Sequence, residues 1–130
     1  MLLPGRGTAW TPTVAALGAL LDAPDMTPGR RRRLQAGRAR VVELLPVAAR
    51  LGVPVLAGTD VTGSIPREVA LLAELGLEPS QALAAASTWP RRFLGAAATA
   101  GLVTYHHDPR QDPGQLAHPA AVIANGTRLR

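Results

Sequence analysis

Between Pro28 and Leu51 the apolar positions Leu34, Val41, Leu44, Leu45, Ala48 and Leu51 recur at the three-and-four spacing of a helix face. Thr27 offers a capping oxygen, Pro28 suits the first helical position, and Gly52 supplies a stop. Pro46 removes one backbone bond and predicts a kink or a restart. A shorter helix over Ala15 to Leu21 closes in the turn Asp22-Ala23-Pro24-Asp25, and a strand is expected just before it, around Trp10 and ending at Pro12. Val53 to Ala57 is instead a continuous apolar run, the pattern of a parallel strand covered on both faces. Three helices are expected after it: from Ser64-Ile65-Pro66 to Gly76, from Pro79 to about Ser87, and from Pro90 to Leu94 with a stop at Gly95. This β-α-β-α order predicts an α/β fold with a helix-covered parallel sheet. The last third differs. Leu102 to His106 reads as a strand, HHDPRQDPG as a polar loop, and Asn125-Gly126 as the turn of a two-stranded hairpin joining Ala121–Ala124 to Thr127–Leu129.

Composition narrows this picture. Apolar residues make up 47% of the 130 and charged residues 18%, enough to build one ordinary core and too apolar for disorder. Cysteine is absent, which excludes disulfides and thiolate metal sites. The longest apolar run, Val14 to Leu21, is far short of the roughly 18 residues of a membrane span, and MLLPGRG has no signal-peptide pattern. A cytoplasmic protein without a membrane partner is the default expectation. The net charge of +5 comes from 14 basic residues, all arginine, spread from Arg6 to Arg130. With only 3% aromatics there is no stacking platform, so a nucleic-acid partner is not expected. The Arg30–Arg33 run falls at the positive end of its helix dipole and reads as a solvated face, with Asp22 or Asp25 as possible partners.

The apolar run Val53–Ala57 ends in Gly58-Thr59-Asp60, a carboxylate with no basic neighbour. In parallel α/β folds the carboxyl ends of strands carry the chemistry. There, Gly58 would allow close approach to the backbone and Thr59 would offer a supporting hydroxyl. Asp60 could ligate a divalent metal and accept a proton from water; equally, it could be an N-cap or turn aspartate holding local amides.

The stretch GVPVLAGTDVTGSIPREVALLAELGLEPSQALAAASTWPRRFLG resembles the closing part of the metal-dependent amidohydrolase superfamily, in its imidazolonepropionase-like and prolidase-like branch. The matching positions are Gly58, Thr59 and Asp60, then Glu68, Leu71, Leu72, Glu74, Gly76 and Leu77, then Pro79, Ala82, Leu83, Ala85, Ala86, Pro90, Leu94 and Gly95. TAWTPTV resembles the preceding barrel strand, and the tail resembles the return to a small β-sandwich. The resemblance implies the C-terminal part of a (β/α)8 TIM barrel, about its last two strand-helix units. Residues 1–98 would be barrel, and residues 99–130 a β segment of the accessory sandwich. It implies hydrolysis of a carbon–nitrogen bond in a small-molecule substrate, a non-peptide or cyclic amide, through a metal-bound hydroxide. Asp60 would be the catalytic and metal-binding carboxylate, Gly58 and Thr59 would support it, and zinc would be the metal. Trp10 could line the substrate mouth, or serve as a core residue.

The departures matter too. No His-x-His and no lysine is present, and His106, His107 and His118 all fall in the tail, where they are expected as exposed loop residues. Arg67 stands where relatives often carry histidine. One aspartate cannot make a zinc site, which needs about three protein ligands. The rest of the barrel is therefore required, and the isolated chain is expected to be inactive. A partial barrel would leave open sheet edges, with Leu2, Trp10 and Val53 partly uncovered. Two other readings remain: a non-enzymatic interaction module pairing through those edges, and a small arginine-rich nucleic-acid binder.

Overall fold

Local capping chemistry sets most element boundaries in the computed structural model, which describes residues 7–60, 63–96 and 101–130. Helix α1 spans Val14–Leu21, α2 Pro28–Arg50, α3 Ile65–Glu74, α4 Pro79–Ala85 and α5 Thr88–Leu94. A three-stranded antiparallel sheet follows, ordered β1 (Gly101–Thr104), β2 (Ala121–Ala124) and β3 (Thr127–Arg128), with a 3-10 helix over Pro113–Ala117 between its first two strands. The described chain is thus α/β, with five α-helices and a small sheet. The boundary expected between residues 98 and 99 lies outside the described residues, as does Leu2.

α2 begins as its sequence demands: Thr27 is extended, its side chain accepts from the Arg30 amide, and Pro28 follows. The helix runs through Pro46 as one 23-residue element, so no restart occurs. The basic run takes a different partner from the expected one. Arg31 donates to the carbonyls of Leu21 and Ala23, at the C-terminal end of α1, where those oxygens lack helical partners. Among the described residues no ion pair joins Arg30–Arg33 to Asp22 or Asp25.

The expected parallel pairing is present in reduced form. Trp10 and Val55 form one parallel bridge: the Trp10 amide donates to Pro54 O at 2.9 Å and the Leu56 amide to Trp10 O at 2.8 Å. The ladder extends no further because Pro12 and Pro54 have no N–H to give. Val53, expected to be partly uncovered, is buried; its amide donates to Ala48 O, which draws it beneath the end of α2.

The core gathers Val14 from α1, Leu45 from α2, Val55 from the bridge, Val69, Leu71 and Leu72 from α3, then Leu77, Ala82 and Ala85. Trp10 and Trp89 pack against this cluster from partly buried positions, and Leu116 of the 3-10 helix reaches it from the tail. Of the 23 residues in α2 only Leu45 is fully buried, while Val42 and Leu44 remain exposed.

The hairpin forms where Asn125-Gly126 requires it. Both residues have positive φ (49° and 76°), the conformation of a two-residue type I′ turn, and Ala124 pairs with Thr127 across it. The expected two-stranded piece is three-stranded, because β1 aligns with β2 in register from Gly101↔Ala124 to Thr104↔Ala121. β1 stops at Thr104, two residues short of His106.

Candidate functional site

Two loops follow the bridged segments and lead into helices: Thr11–Thr13 into α1, and Gly58 onward into α3. They lie against each other. A Cβ added at Gly58 would sit 2.6 Å from Thr11 Cγ2, so a threonine methyl of one loop occupies the space a side chain on the other would need. Glycine is required here for close approach, not for its dihedral freedom. Gly58→Ala is accordingly expected to cost about 1–3 kcal/mol, by forcing Thr11 off its rotamer or parting the loops. Urea unfolding of the variant against the wild type measures this.

Asp60 follows at the end of the apolar run, exposed and with φ 46°, a left-handed conformation that aspartate tolerates better than most residues. It is not the N-cap of α3: Ser64 takes that position, its Oγ accepting from the Arg67 amide at 3.4 Å. Among the described residues no hydrogen bond or ion pair engages the Asp60 carboxylate. Thr59 and Gly58 are half-buried beside it.

A second carboxylate belongs to the same pair of loops. Glu68 is fully buried within α3, and its two oxygens accept from the Val14 amide at 2.8 Å and the Ala15 amide at 2.7 Å. Those are the first N–H groups of α1, a helix whose own N-cap, Thr13, is left-handed (φ 48°) and provides no side-chain bond. Glu68 therefore caps α1 from another element, where a negative charge also complements the helix dipole. In the sequence Glu68 stands out only as a position of the amidohydrolase-like motif. The signal was available: a glutamate on the same stripe as Val69 and Leu72, where the helical period calls for an apolar residue.

The other candidates are dispersed. Trp10 is half-buried against the core. His106, His107 and His118 are exposed and lie outside regular strands. Arg67 is exposed, with its guanidinium 3.9 Å from Glu74. Arg110 donates to Asp108 at 2.6 Å, and these side-chain bonds hold the Asp108 carboxyl below the usual carboxylate range. A cleft of about 740 Å³ runs between the α3–α5 helices and β1, past Ile65, Leu83, Arg91 and Tyr105; it is not lined by Asp60. Partial burial beside it raises the Tyr105 phenol above its ordinary value.

Zinc fits these residues only in part. Among the described residues no group of three or more His, Cys, Asp or Glu side chains comes together. Asp60 offers one hard oxygen donor, and a catalytic zinc needs about three protein ligands. The described residues do not by themselves make a metal site. Among them no helix is long and apolar enough to cross a membrane.

No family model matches the chain. It is 38% identical over 138 residues to uncharacterised proteins of Mycobacterium tuberculosis strain H37Rv and Mycobacterium bovis; the match takes in 96% of this chain and 37% of each relative. The chain thus spans little more than a third of the curated relatives it matches. Among solved structures, a candidate prolidase from Bifidobacterium longum superposes with a TM-score of 0.78 at 26% identity, over 94% of this chain and 35% of that one. A Xaa-Pro dipeptidase with bound methionine in its active site gives 0.73 at 20% identity, over 94% and 34%. An amidohydrolase gives 0.66 at 21% identity, over 89% and 32%. The structural neighbours are therefore hydrolases of the amidohydrolase type, each matched over about a third of its length.

Proposed function

We propose that this chain is the C-terminal part of an amidohydrolase-type hydrolase, with Asp60 as its contribution to the active site. The observation that carries the proposal is the position of Asp60. It stands exposed at the end of a parallel-paired segment, in a fold that superposes on about a third of a candidate prolidase. In this reading residues 1–98 close a (β/α)8 barrel and residues 99–130 belong to an accessory sandwich. The remaining barrel strands come from polypeptide outside this chain.

The substrate is a small molecule with a carbon–nitrogen bond. The neighbours' names make Xaa-Pro dipeptides the class to try first, ahead of cyclic amides. Asp60 accepts the proton of the attacking water, a task for which a carboxylate open to the strand-end mouth is suited. Thr59 and Gly58 hold its backbone, and Trp10 stands at the neighbouring strand end. A divalent ion, zinc by resemblance, would polarise the substrate carbonyl; Asp60 could give it one oxygen, with its other ligands coming from outside the chain. The chain alone is inactive in this reading.

A second reading, an interaction module without catalysis, is favoured by one observation. β1 pairs only with β2 among the described strands, and its Leu102 and Val103 are 56% and 42% exposed. The mass of the native protein separates the two. An antibody against residues 101–130 is expected to detect a host protein well above 13.5 kDa. A band at 13.5 kDa would favour the module.

A further inference from the structure

We infer that Glu68 is a positioning residue for Asp60, and that it acts by holding the start of α1 as the anchor for the loop that carries Asp60. This rests on the reading of Asp60 as the working carboxylate.

The loop touches that anchor at both ends. On one side of Asp60, Gly58 lies so close to Thr11 that an added Cβ would come within 2.6 Å of its methyl group. On the other side, a Cβ at Gly63 would meet the Ala15 Cβ at 3.4 Å. The described residues on either side of Asp60 thus lie against the segment from Thr11 to Ala15. Val14 and Ala15 pack into the core, but the segment's first helical amides have no cap of their own: Thr13 is left-handed and its side chain caps nothing. The Val14 and Ala15 amides instead bond the two oxygens of Glu68, at 2.8 and 2.7 Å. Glu68 in turn belongs to α3, the helix that the Asp60 loop enters at Ile65. The circuit closes: Asp60 loop to α3, Glu68 to the α1 start, α1 start back to both ends of the loop.

An ordinary core side chain at position 68 would fill the same space but leave the Val14 and Ala15 amides unheld, with only the packing of Val14 to locate the α1 start. Two directional bonds, one buried and one partly buried, fix its position and orientation together. A displacement of about 1 Å at a reacting group can cost on the order of a hundredfold in rate, so an anchor of this kind has a kinetic consequence as well as a stabilising one.

The test uses the protein as its host makes it, with alanyl-proline as the probe, and compares Glu68→Gln, Glu68→Ala, Asp60→Asn and Leu45→Ala. Glu68→Gln keeps the shape and one acceptor oxygen. Leu45→Ala truncates a fully buried core residue of α2 outside the circuit. The expected result is a kcat loss of about tenfold for Glu68→Gln and about a hundredfold for Glu68→Ala, with KM within about threefold. Leu45→Ala should keep its kcat at temperatures where it remains folded. In amide NMR spectra of the full chain, Glu68→Gln should displace the Gly58, Thr59 and Asp60 signals more than Leu45→Ala does. If Glu68→Gln matches Leu45→Ala in kcat and leaves those three signals in place, the positioning role is overturned while the reading of Asp60 stands. If Asp60→Asn hydrolyses the probe as the wild type does, the reading of Asp60 falls and takes this inference with it.

Discussion

Glu68→Ala is expected to destabilise the chain by about 2–5 kcal/mol, because a buried N–H left without a partner costs about 1–3 kcal/mol, and one buried and one partly buried donor are orphaned at once. The donors are the Val14 and Ala15 amides, and neither Thr13 nor the rest of α1 can replace the lost acceptor. Removing the side chain also empties a fully buried position beside Val69 and Leu72, which adds a cavity term to the loss. Against the 5–15 kcal/mol typical of a whole domain this is a large fraction. Glu68→Gln should lose less, since its amide still offers one acceptor oxygen. Glu74, six residues along the same helix, is the contrast: it is exposed, its only ion-pair partner among the described residues is the exposed Arg67 at 3.9 Å, and Glu74→Ala should change stability by less than about 0.5 kcal/mol. Urea unfolding midpoints of the three variants check this. A Glu68→Ala midpoint equal to that of Glu74→Ala would sink the account of α1.

The elements legible in the sequence are those whose chemistry is local. Thr27-Pro28 starts α2, Ser64 starts α3, Gly95 ends α5 in a left-handed conformation, and Asn125-Gly126 turns the hairpin; each acts within four residues of its own position. The Asp112-Pro113-Gly114 stretch, expected as plain loop, begins the 3-10 helix, with Asp112 accepting from the Gly114 amide at 2.9 Å. That turn chemistry is local to the aspartate and its Pro-Gly neighbours, and polarity alone does not reveal it.

What was illegible is non-local. Nothing near Gly101–Thr104 announces that its partner is Ala121–Ala124, across a long loop. Glu68 bonds amides 53 and 54 positions away, so its oddity on an apolar stripe was visible but its partners were not. The apolar run Val53–Ala57 does pair in parallel, yet the prolines on both segments confine the pairing to a single bridge. The site shows the same division. Gly58-Thr59-Asp60 stands out as a motif, whereas the contacts of its loop with Thr11 and Ala15 depend on the tertiary fold.

Asp60→Asn is expected to remove activity without removing the fold. Asparagine adopts left-handed backbone as readily as aspartate, so φ 46° is preserved. The side chain is exposed, and no hydrogen bond among the described residues engages it, so the stability change should stay within about 0.5 kcal/mol. The carboxylate's capacity to take a proton is lost, a function usually worth about 10²–10⁴ in rate. The measurement that bears most directly on the central claim is kcat/KM for alanyl-proline with the wild type and Asp60→Asn, in the protein as its host makes it, alongside their urea unfolding curves. The account predicts superimposable unfolding curves and a fall in kcat/KM of at least about a hundredfold. Equal rates, or a wild type that leaves both alanyl-proline and small cyclic amides intact, would contradict it.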